Sequence, residues 1–473
     1  MSEPDDLTRQ AHEELRSWGS EGALNALDSL MWRTERPPSD SWTGVVLDVL
    51  GTSPSWEHMQ AAHRWALRLV PRFGEKVVDP ALPTGPPRWT PDPDFDLDHH
   101  LQHVTLDAPG TMKQVLELAE QLGVRPLDRG RPPWRAVFVD GLEGGRSAYL
   151  LQAHHVVMDG AAATQLFSRI LDRAQDAESV AVEEPAPRPA VNRLQATGRG
   201  LAWQGSAVPG FVSKVADAAG KAVADPLTAW NGAAAYARSV ARVARPTPSA
   251  ESGLLQPGPR TTWRFGVLEC DLADIKKAGK SAGGTVNDAF VSAILGGLRH
   301  YHAEHDAELG DVPISMPVSV RRDDDPMGGN RFTGAFFAAP SGVADPADRI
   351  RAMRERVAQV RAEPALDFLN TVIPFMNLAP TPVVSTAITA LATSATLTTS
   401  CWPGVPFPTY FAGAPFERMF VFGPLPGTSM CAALCTHVDT CCIGINVDGD
   451  VFPDTDVLWA SLQKGLDDVL ALA

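Results

Sequence analysis

Residues 154–160 read His-His-Val-Val-Met-Asp-Gly. What flanks them decides what they are mounted on. Before them, Ser147 to Ala153 (SAYLLQA) reads as a short strand. After them, Ala161 to Arg173 sets Leu166, Phe167, Ile170 and Leu171 at helical spacing. The heptapeptide therefore sits on a strand-to-helix connection, where a rigid frame can hold reactive side chains. Its four fixed positions, His-His-x-x-x-Asp-Gly, should arise by chance in about one chain of this length in a few hundred. Placement therefore counts as much as pattern.

Outward from this point the chain alternates strands and helices. Trp134 to Asp140 alternates as a strand, Gly141 to Gly145 turns, and Ala148 onward returns into the heptapeptide. Trp56 to Arg72 is expected to be a helix with Met59, His63, Leu67 and Val70 on one face, and Thr111 to Leu122 a second amphipathic helix. Pro80 to Asp98, rich in proline and aspartate, reads as an ordered loop. Val180 to Pro189 combines acidic residues with repeated prolines, as a surface linker does. Val191 to Arg245 should form loosely amphipathic helices, and Pro246 to Pro259 breaks the chain again.

The mixed pattern then resumes. Thr262 to Asp271 is a strand. Val286 to Tyr301 is a helix with a stripe of Phe290, Ile294, Leu298 and Tyr301. Val312 to Val320 is a strand, Asp348 to Val360 a helix, and Cys431 to Val447 alternates. After the Asp448-Gly449 turn, Asp454 to Leu470 closes as a helix. The expected fold is α/β, with two lobes that each carry helices on a sheet. The expected division is an N-terminal tail over 1–22, an N-terminal lobe over 23–180, a linker with helices over 181–260 and a C-terminal lobe over 261–473.

Composition excludes several classes. The 473 residues carry a formal net charge of −15, the opposite of the balance in a nucleic-acid binder. The same field would repel a large anionic substrate unless a local basic patch received it. No secretory signal is found in Met1 to Leu30, so a reducing cytoplasm and free thiols are expected for the six cysteines. Cys431-x-x-x-Cys435-x-His437 could be read as metal ligands, but no second pair of the CxxC kind accompanies it. Buried strand fillers are the expectation, with no metal. No apolar run is long enough for a transmembrane helix. Phe368 to Phe416 holds no charged residue and is broken by seven prolines: Pro374, Pro380, Pro382, Pro403, Pro406, Pro408 and Pro415. It reads as a buried segment between lobes or as the wall of an apolar substrate tunnel. A patch resting on a membrane face or lipid inclusion is the third reading.

Several ordered motifs together resemble the bacterial wax ester synthase/acyl-CoA:diacylglycerol acyltransferases, from about Leu24 to the C-terminus. Leu24 to Glu35 (LNALDSLMWRTE) resembles the opening segment of that family. Trp89, Phe95-Asp96, Pro126-Leu127-Asp128 and Arg131-Pro132-Pro133-Trp134 match later runs. His154 to Gly160 matches the catalytic motif and Val286-Asn287-Asp288 a helix start. Pro317 to Arg321 and Gly329-Asn330 match a strand and a turn.

The resemblance implies two lobes like chloramphenicol acetyltransferase and peptide-synthetase condensation domains, each a mixed sheet flanked by helices, with the active site in a tunnel between them. It implies transfer of a long acyl chain from acyl-CoA, a substrate and not a cofactor, to a fatty alcohol or diacylglycerol. Substrate contacts are then expected at Asn287, Asp288, Trp134 and Trp402. The chain departs from the family at Pro133, at Val156, and at Ser400 to Val405 (Ser-Cys-Trp-Pro-Gly-Val). Acylation of a specialised non-lipid hydroxyl or amine, and a non-catalytic lipid-binding role, stay open as alternatives.

Transfer to a hydroxyl needs a base, donors for the oxyanion, and exclusion of water. Histidine suits the first, because its proton leaves near working pH. His155 is the expected base, with direct attack, since no Gly-x-Ser-x-Gly or papain-like cysteine motif supplies a nucleophile. His154 is expected to set the loop. Asp159 is expected to pair with an arginine and hold the loop shape, with Arg321 as partner. Gly160 should permit close packing or a positive φ. Asn287 is read either as an oxyanion or acceptor contact or as a helix cap. His99, His100 and His103 are read as exposed loop histidines. Arg321, Arg322 and Arg331 could meet CoA phosphates, or form an ion-pair loop with Asp323 to Asp325. Oligomeric state is not legible.

Overall fold

A computed structural model describes residues 13–16, 18, 22–37, 39–175, 188–202, 234–235, 238–240, 252–255, 258–321, 328–366, 372–373, 376, 379 and 381–473, without the side chains of 387–392. Most of the 1–22 tail, most of the 181–260 linker with its helices, and Asp323 to Asp325 lie outside the described residues.

The strands, in chain order, are β1 (Thr43–Leu50), β2 (Glu75–Val78), β3 (Arg88–Pro91), β4 (Leu101–Thr105), β5 (Trp134–Leu142), β6 (Arg146–His154) and β7 (Trp263–Asp271). They continue with β8 (Val312–Ser319), β9 (Phe332–Ala339), β10 (Leu397–Trp402), β11 (Tyr410–Phe411), β12 (Ala414–Phe422), β13 (Met430–His437) and β14 (Thr440–Asp448). The helices are α1 (Ala26–Thr34), α2 (Trp56–Leu69), α3 (Leu97–His100), α4 (Met112–Gly123), α5 (Gly160–Ile170), α6 (Leu272–Ser281), α7 (Val286–Glu304), α8 (Pro346–Arg361), α9 (Thr381–Ala392) and α10 (Thr455–Leu470).

One six-stranded sheet runs β11-β12-β1-β6-β5-β4 and a second runs β7-β14-β13-β10-β8-β9. Both are mixed. β4 lies parallel to β5 in the first, and β10 parallel to β13 and β8 in the second, while the remaining pairs are antiparallel. The α/β class and the two mixed sheets agree with the expectation.

Membership of the first sheet departs from the division drawn from sequence. β12 belongs by sequence to the C-terminal lobe, yet it pairs along β1, with Val45 opposite Phe422 and Val49 opposite Arg418. The reason lies in its apolar residues. Phe420 and Phe422 join Val45, Leu47 and Val49 from the first sheet and Trp263, Phe265 and Cys442 from the second in one buried core. Phe265 stacks on Phe422 with centroids 4.0 Å apart and planes 2° apart. The close crossing depends on Gly444 of β14, where a Cβ would stand 2.3 Å from the carbonyl oxygen of Val421.

Several elements differ in detail from the sequence reading. Pro80 to Asp98 contains β3 and the start of α3. Cys431 to Val447 is not one alternating strand but the β13–β14 hairpin, turned at Val438, whose φ is 51°. α7 buries far more than its stripe. Ala289, Val291, Ser292 and Leu295 are also buried, because α10 covers another side of it. His100 is not an exposed loop residue. It is buried between Phe95 and Trp134, its Nδ1 2.8 Å from the Trp134 carbonyl. His437 reaches the Phe416 carbonyl at 2.9 Å through Nε2, so one nitrogen of the suspected metal motif serves packing.

Gly444→Val should lower stability by about 1–3 kcal/mol, since the added carbons meet backbone that cannot turn aside. A drop in the urea midpoint with an unchanged slope is expected, and an unchanged midpoint would contradict the close crossing.

Candidate active site

The loop after β6 is built by local chemistry. Strand pairing ends at His154, whose carbonyl accepts the Val157 N–H at 3.0 Å and starts the turn. Asp159 then caps α5, its Oδ1 accepting the Ala162 N–H at 2.7 Å. An aspartate at this position satisfies an otherwise unmatched helix donor. Gly160 is glycine for space: a Cβ there would lie 2.8 Å from the Trp402 indole. Of the two expected reasons, close packing is therefore the one observed, since Gly160 is not among the positive-φ glycines.

Asp159 is also the point where the lobes are joined. Its Oδ2 accepts the Arg331 N–H at 2.9 Å and lies 3.3 Å from Arg321 Nη2. Arg321 in turn donates to the Gly329 carbonyl at 2.9 Å, and Met158 bridges to Gly329. The expected pairing with Arg321 is present, and the ion pair is largely buried on both sides. That commits Arg321 to the loop and not to a free phosphate patch.

The two histidines differ. His154 is buried and stands edge-on to Trp32 at 5.3 Å. Its Nδ1 accepts the Val156 N–H at 3.1 Å, which places the ring proton on Nε2. That nitrogen stands 3.5 Å from Glu35 Oε1 without hydrogen-bond geometry. Burial holds the His154 imidazole well below its usual pKa, with Arg129 adding to the effect, so the ring is neutral. Burial also raises the Glu35 carboxyl, partly offset by Arg129.

His155 has the opposite tautomer. Its backbone N–H donates to the Trp42 carbonyl at 2.8 Å, and its Nδ1 lies 2.7 Å from Asn330 Oδ1. The amide orientation follows from its other contacts. Asn330 Nδ2 faces the Asp28 carboxylate and the His155 carbonyl, the latter at 2.6 Å, and both are acceptors. Asn330 must therefore present its oxygen to His155, and His155 must answer with Nδ1–H. Nε2 is left as the basic nitrogen. Asn25 backs this arrangement, capping α1 through the Asp28 N–H and reaching the Asn330 carbonyl at 3.2 Å.

His155 lines a cavity of about 290 Å³ whose other walls are mainly apolar: Leu30, Met31, Trp42, Val46, Met158, Phe332, Phe336 and Met419 among them. His154, Asp159, Gly160 and Trp402 also line it, as do the hydroxyl-bearing Ser315, Thr398 and Ser400. The walls come from both lobes. The uncharged 368–416 stretch supplies Ile373, Thr398, Ser400 and Trp402, so it is both an inter-lobe segment and a cavity wall. An imidazole with one free nitrogen in such a space can take a proton from a bound hydroxyl.

Three expected contacts stand elsewhere. Trp134 is buried, donates through Nε1 to the Phe73 carbonyl at 2.8 Å, and faces a separate cavity. Asp288 is committed to a capping box with Thr285, accepting its N–H at 2.9 Å and its hydroxyl at 2.7 Å. Asn287 follows Val286 inside α7 and so is not the cap. Its Nδ2 lies 3.9 Å from Met316 Sδ, outside the cavity lining. The residues missed were Asn330, Asp28 and Glu35. Gly329-Asn330 was visible as a motif, but nothing in its spacing showed a contact with His155, 175 positions away.

Residues 24–290 match the wax ester synthase/diacylglycerol acyltransferase catalytic domain, and residues 328–469 match the C-terminal domain of the same enzymes. A Mycobacterium tuberculosis protein named "Putative diacyglycerol O-acyltransferase" is 36% identical over 461 residues, covering 95% of this chain and 92% of that one. Another from that species, named "Probable diacyglycerol O-acyltransferase", is 26% identical over 446 residues, 90% of each. Among solved structures, a wax ester synthase/diacylglycerol acyltransferase from Marinobacter aquaeolei VT8 aligns with a TM-score of 0.62 at 18% identity, covering 94% of this chain and 98% of that one. The first condensation domain of the calcium-dependent antibiotic synthetase aligns with a TM-score of 0.60 at 15% identity, 95% of each. At these identities the structural matches speak for fold alone. Among the described residues no helix is long and apolar enough to cross a membrane.

Asn330→Ala should cost about 1–3 kcal/mol of stability, because the buried Asp28 carboxyl and the His155 carbonyl each lose a donor. Nitrogen-15 NMR of labelled histidine should show His155 protonated on Nδ1 in the parent and mixed between its nitrogens in the variant. A single tautomer in both would contradict the role given to Asn330.

Proposed function

Since the chain belongs to the wax ester synthase/diacylglycerol acyltransferase family and is an acyltransferase of that type, we propose that it moves a long-chain acyl group from acyl-CoA to a lipid hydroxyl, with His155 as general base. The observation that carries this reading is the His155 ring, fixed through Nδ1 by Asn330 and lining an apolar cavity.

That geometry supports the following steps. His155 Nε2 takes the proton of the acceptor hydroxyl as its oxygen attacks the thioester carbonyl. The carbonyl π electrons move to oxygen and form the tetrahedral oxyanion. Ser315, Thr398 and Ser400 are the lining hydroxyls assigned to meet that charge. On collapse the carbon–sulfur bond breaks, and the leaving thiolate takes the proton from the His155 imidazolium. Ester and free CoA are the products. Asn330 Oδ1 accepts the hydrogen bond from His155 Nδ1–H throughout, so one ring orientation serves both proton transfers. Apolar walls keep water from competing for the thioester. His154 and Asp159 act by shaping the loop, the first as a neutral packed ring and the second as helix cap and inter-lobe anchor.

The acceptor is the finer question. Trp402 presses against Gly160 and narrows the cavity beside the motif. That favours a slender primary alcohol over the branched diacylglycerol. A membrane or lipid-inclusion surface is the proposed source of either acceptor, reached by peripheral contact.

The purified chain should release CoA from palmitoyl-CoA when hexadecanol or diacylglycerol is added. His155→Ala should lower that rate by roughly 10²–10⁴-fold with an unchanged unfolding midpoint, and retained turnover would remove the base assignment. Trp402→Ala should raise the rate with diacylglycerol relative to hexadecanol. CoA release with neither lipid would turn the assignment toward a different hydroxyl or amine.

A further inference from the structure

A second cavity of about 420 Å³ lies beside the first and shares Leu151 and Phe167 with it. None of the residues assigned to acyl transfer lines it. Its walls are mostly hydrocarbon and aromatic, with Trp65 and Leu67 from α2, Ile170 from α5, and Phe411. Asp48 is out of place in such a wall. It sits within β1 among apolar neighbours, is 4% exposed, and its Oδ1 has no hydrogen-bond partner among the described residues.

Two further polar groups line the same cavity. Tyr149 is its register partner across the β1–β6 ladder, and His63 comes from α2. Their protons can be placed. His63 Nδ1 is 2.8 Å from the Met59 carbonyl, which only accepts, so Nδ1 carries the proton. His63 Nε2 is then bare and takes the Tyr149 O–H at 2.8 Å. Tyr149 is left presenting oxygen lone pairs. Burial pushes the Asp48 carboxyl well above the usual carboxylate range, which favours the protonated form with an O–H of its own. The unpartnered Asp48 carboxyl and the Tyr149 oxygen, whose lone pairs remain open, therefore face the same apolar cavity. A buried polar group without a partner is costly, and its presence in a binding cavity points to a ligand that matches it.

We propose that this cavity is a second lipid site, taking a long-chain lipid that carries a hydroxyl group seated between Asp48 and Tyr149. A hydroxyl both accepts from Asp48 and donates to Tyr149. An ether or ester oxygen can only accept, and an ionised carboxylate has no proton to give Tyr149 and would enter at the cost of its hydration. His155 does not line this cavity, so a hydroxyl held here is not the one that reacts. The site is a holding position beside the reaction channel, and it does not depend on His155 being the base.

Trp65 and Trp134 both line the cavity and can report on it by fluorescence. The full chain is titrated with 1-dodecanol, with its methyl ether, and with dodecanoate. The alcohol should bind roughly tenfold tighter than the ether, the ratio expected for about one hydrogen bond. Asp48→Val and Tyr149→Phe should each bring that ratio to within about twofold. Ala66→Phe, which fills this cavity alone, should remove the alcohol-selective signal and leave CoA release from palmitoyl-CoA intact. If Asp48→Val does not fold, Tyr149→Phe and Ala66→Phe decide. A tenfold preference that survives in Tyr149→Phe or Ala66→Phe overturns the proposal. So does the absence of alcohol binding by the parent, or tighter binding of dodecanoate than of dodecanol.

Discussion

The carboxylate of Asp159 makes contacts on both sides of the cleft between the lobes. One oxygen ends α5 by accepting the Ala162 N–H. The other takes the Arg331 N–H and lies against the Arg321 guanidinium from the opposite lobe. A buried carboxylate is tolerable only when such donors replace its lost water. Because these donors come from two lobes, the charge balance of this side chain also fixes where the second lobe stands. The loop before α5 and the turn at Gly328–Arg331 are thereby held against each other, and Asn330 is delivered to His155.

The backbone of the molecule supports the same junction. β12 is contributed by the second half of the chain but completes the first sheet, and its Phe422 stacks on Phe265 of the second. The lobes are therefore interleaved and share a core, not hinged about a linker. An interface of this kind resists sliding and holds the groups that line the cavity in fixed relation. The close approach is possible only because Gly444 has no side chain to keep β14 away from β12.

The polar groups inside the first lobe show how burial sorts chemistry. His154 and His155 are adjacent in the chain yet carry opposite tautomers, because one accepts from a backbone N–H and the other donates to an amide oxygen. The first is buried, neutral and packed against Trp32, while the second lines the cavity with its Nδ1 committed to Asn330. His63 shows a third arrangement, with its proton fixed by the Met59 carbonyl and its other nitrogen taken by Tyr149. Burial lowers its pKa to about 4, so it too remains neutral.

Much of the fold was legible because period and capping are local properties. The strand before His154, α4, α5, α8 and α10 all follow from the spacing of their apolar residues. The heptapeptide and its mounting could be read in the same way, whereas the Asp159–Arg321 pair was expected only from the family resemblance. Long-range pairing could not. That β12 joins the first sheet, that α7 is covered on several sides, and that His100 lies between two aromatic rings depend on contacts between distant segments. The same holds for the site. Residue types pointed to His155, but its tautomer and the location of Trp134 beside a separate cavity arose only when the chain closed. The sequence alone determined which groups are able to react, because that is a property of side chains and their immediate neighbours. The tertiary structure decided which nitrogen of His155 is free and what surrounds it, because its partner Asn330 lies 175 positions away and its dielectric is set by both lobes.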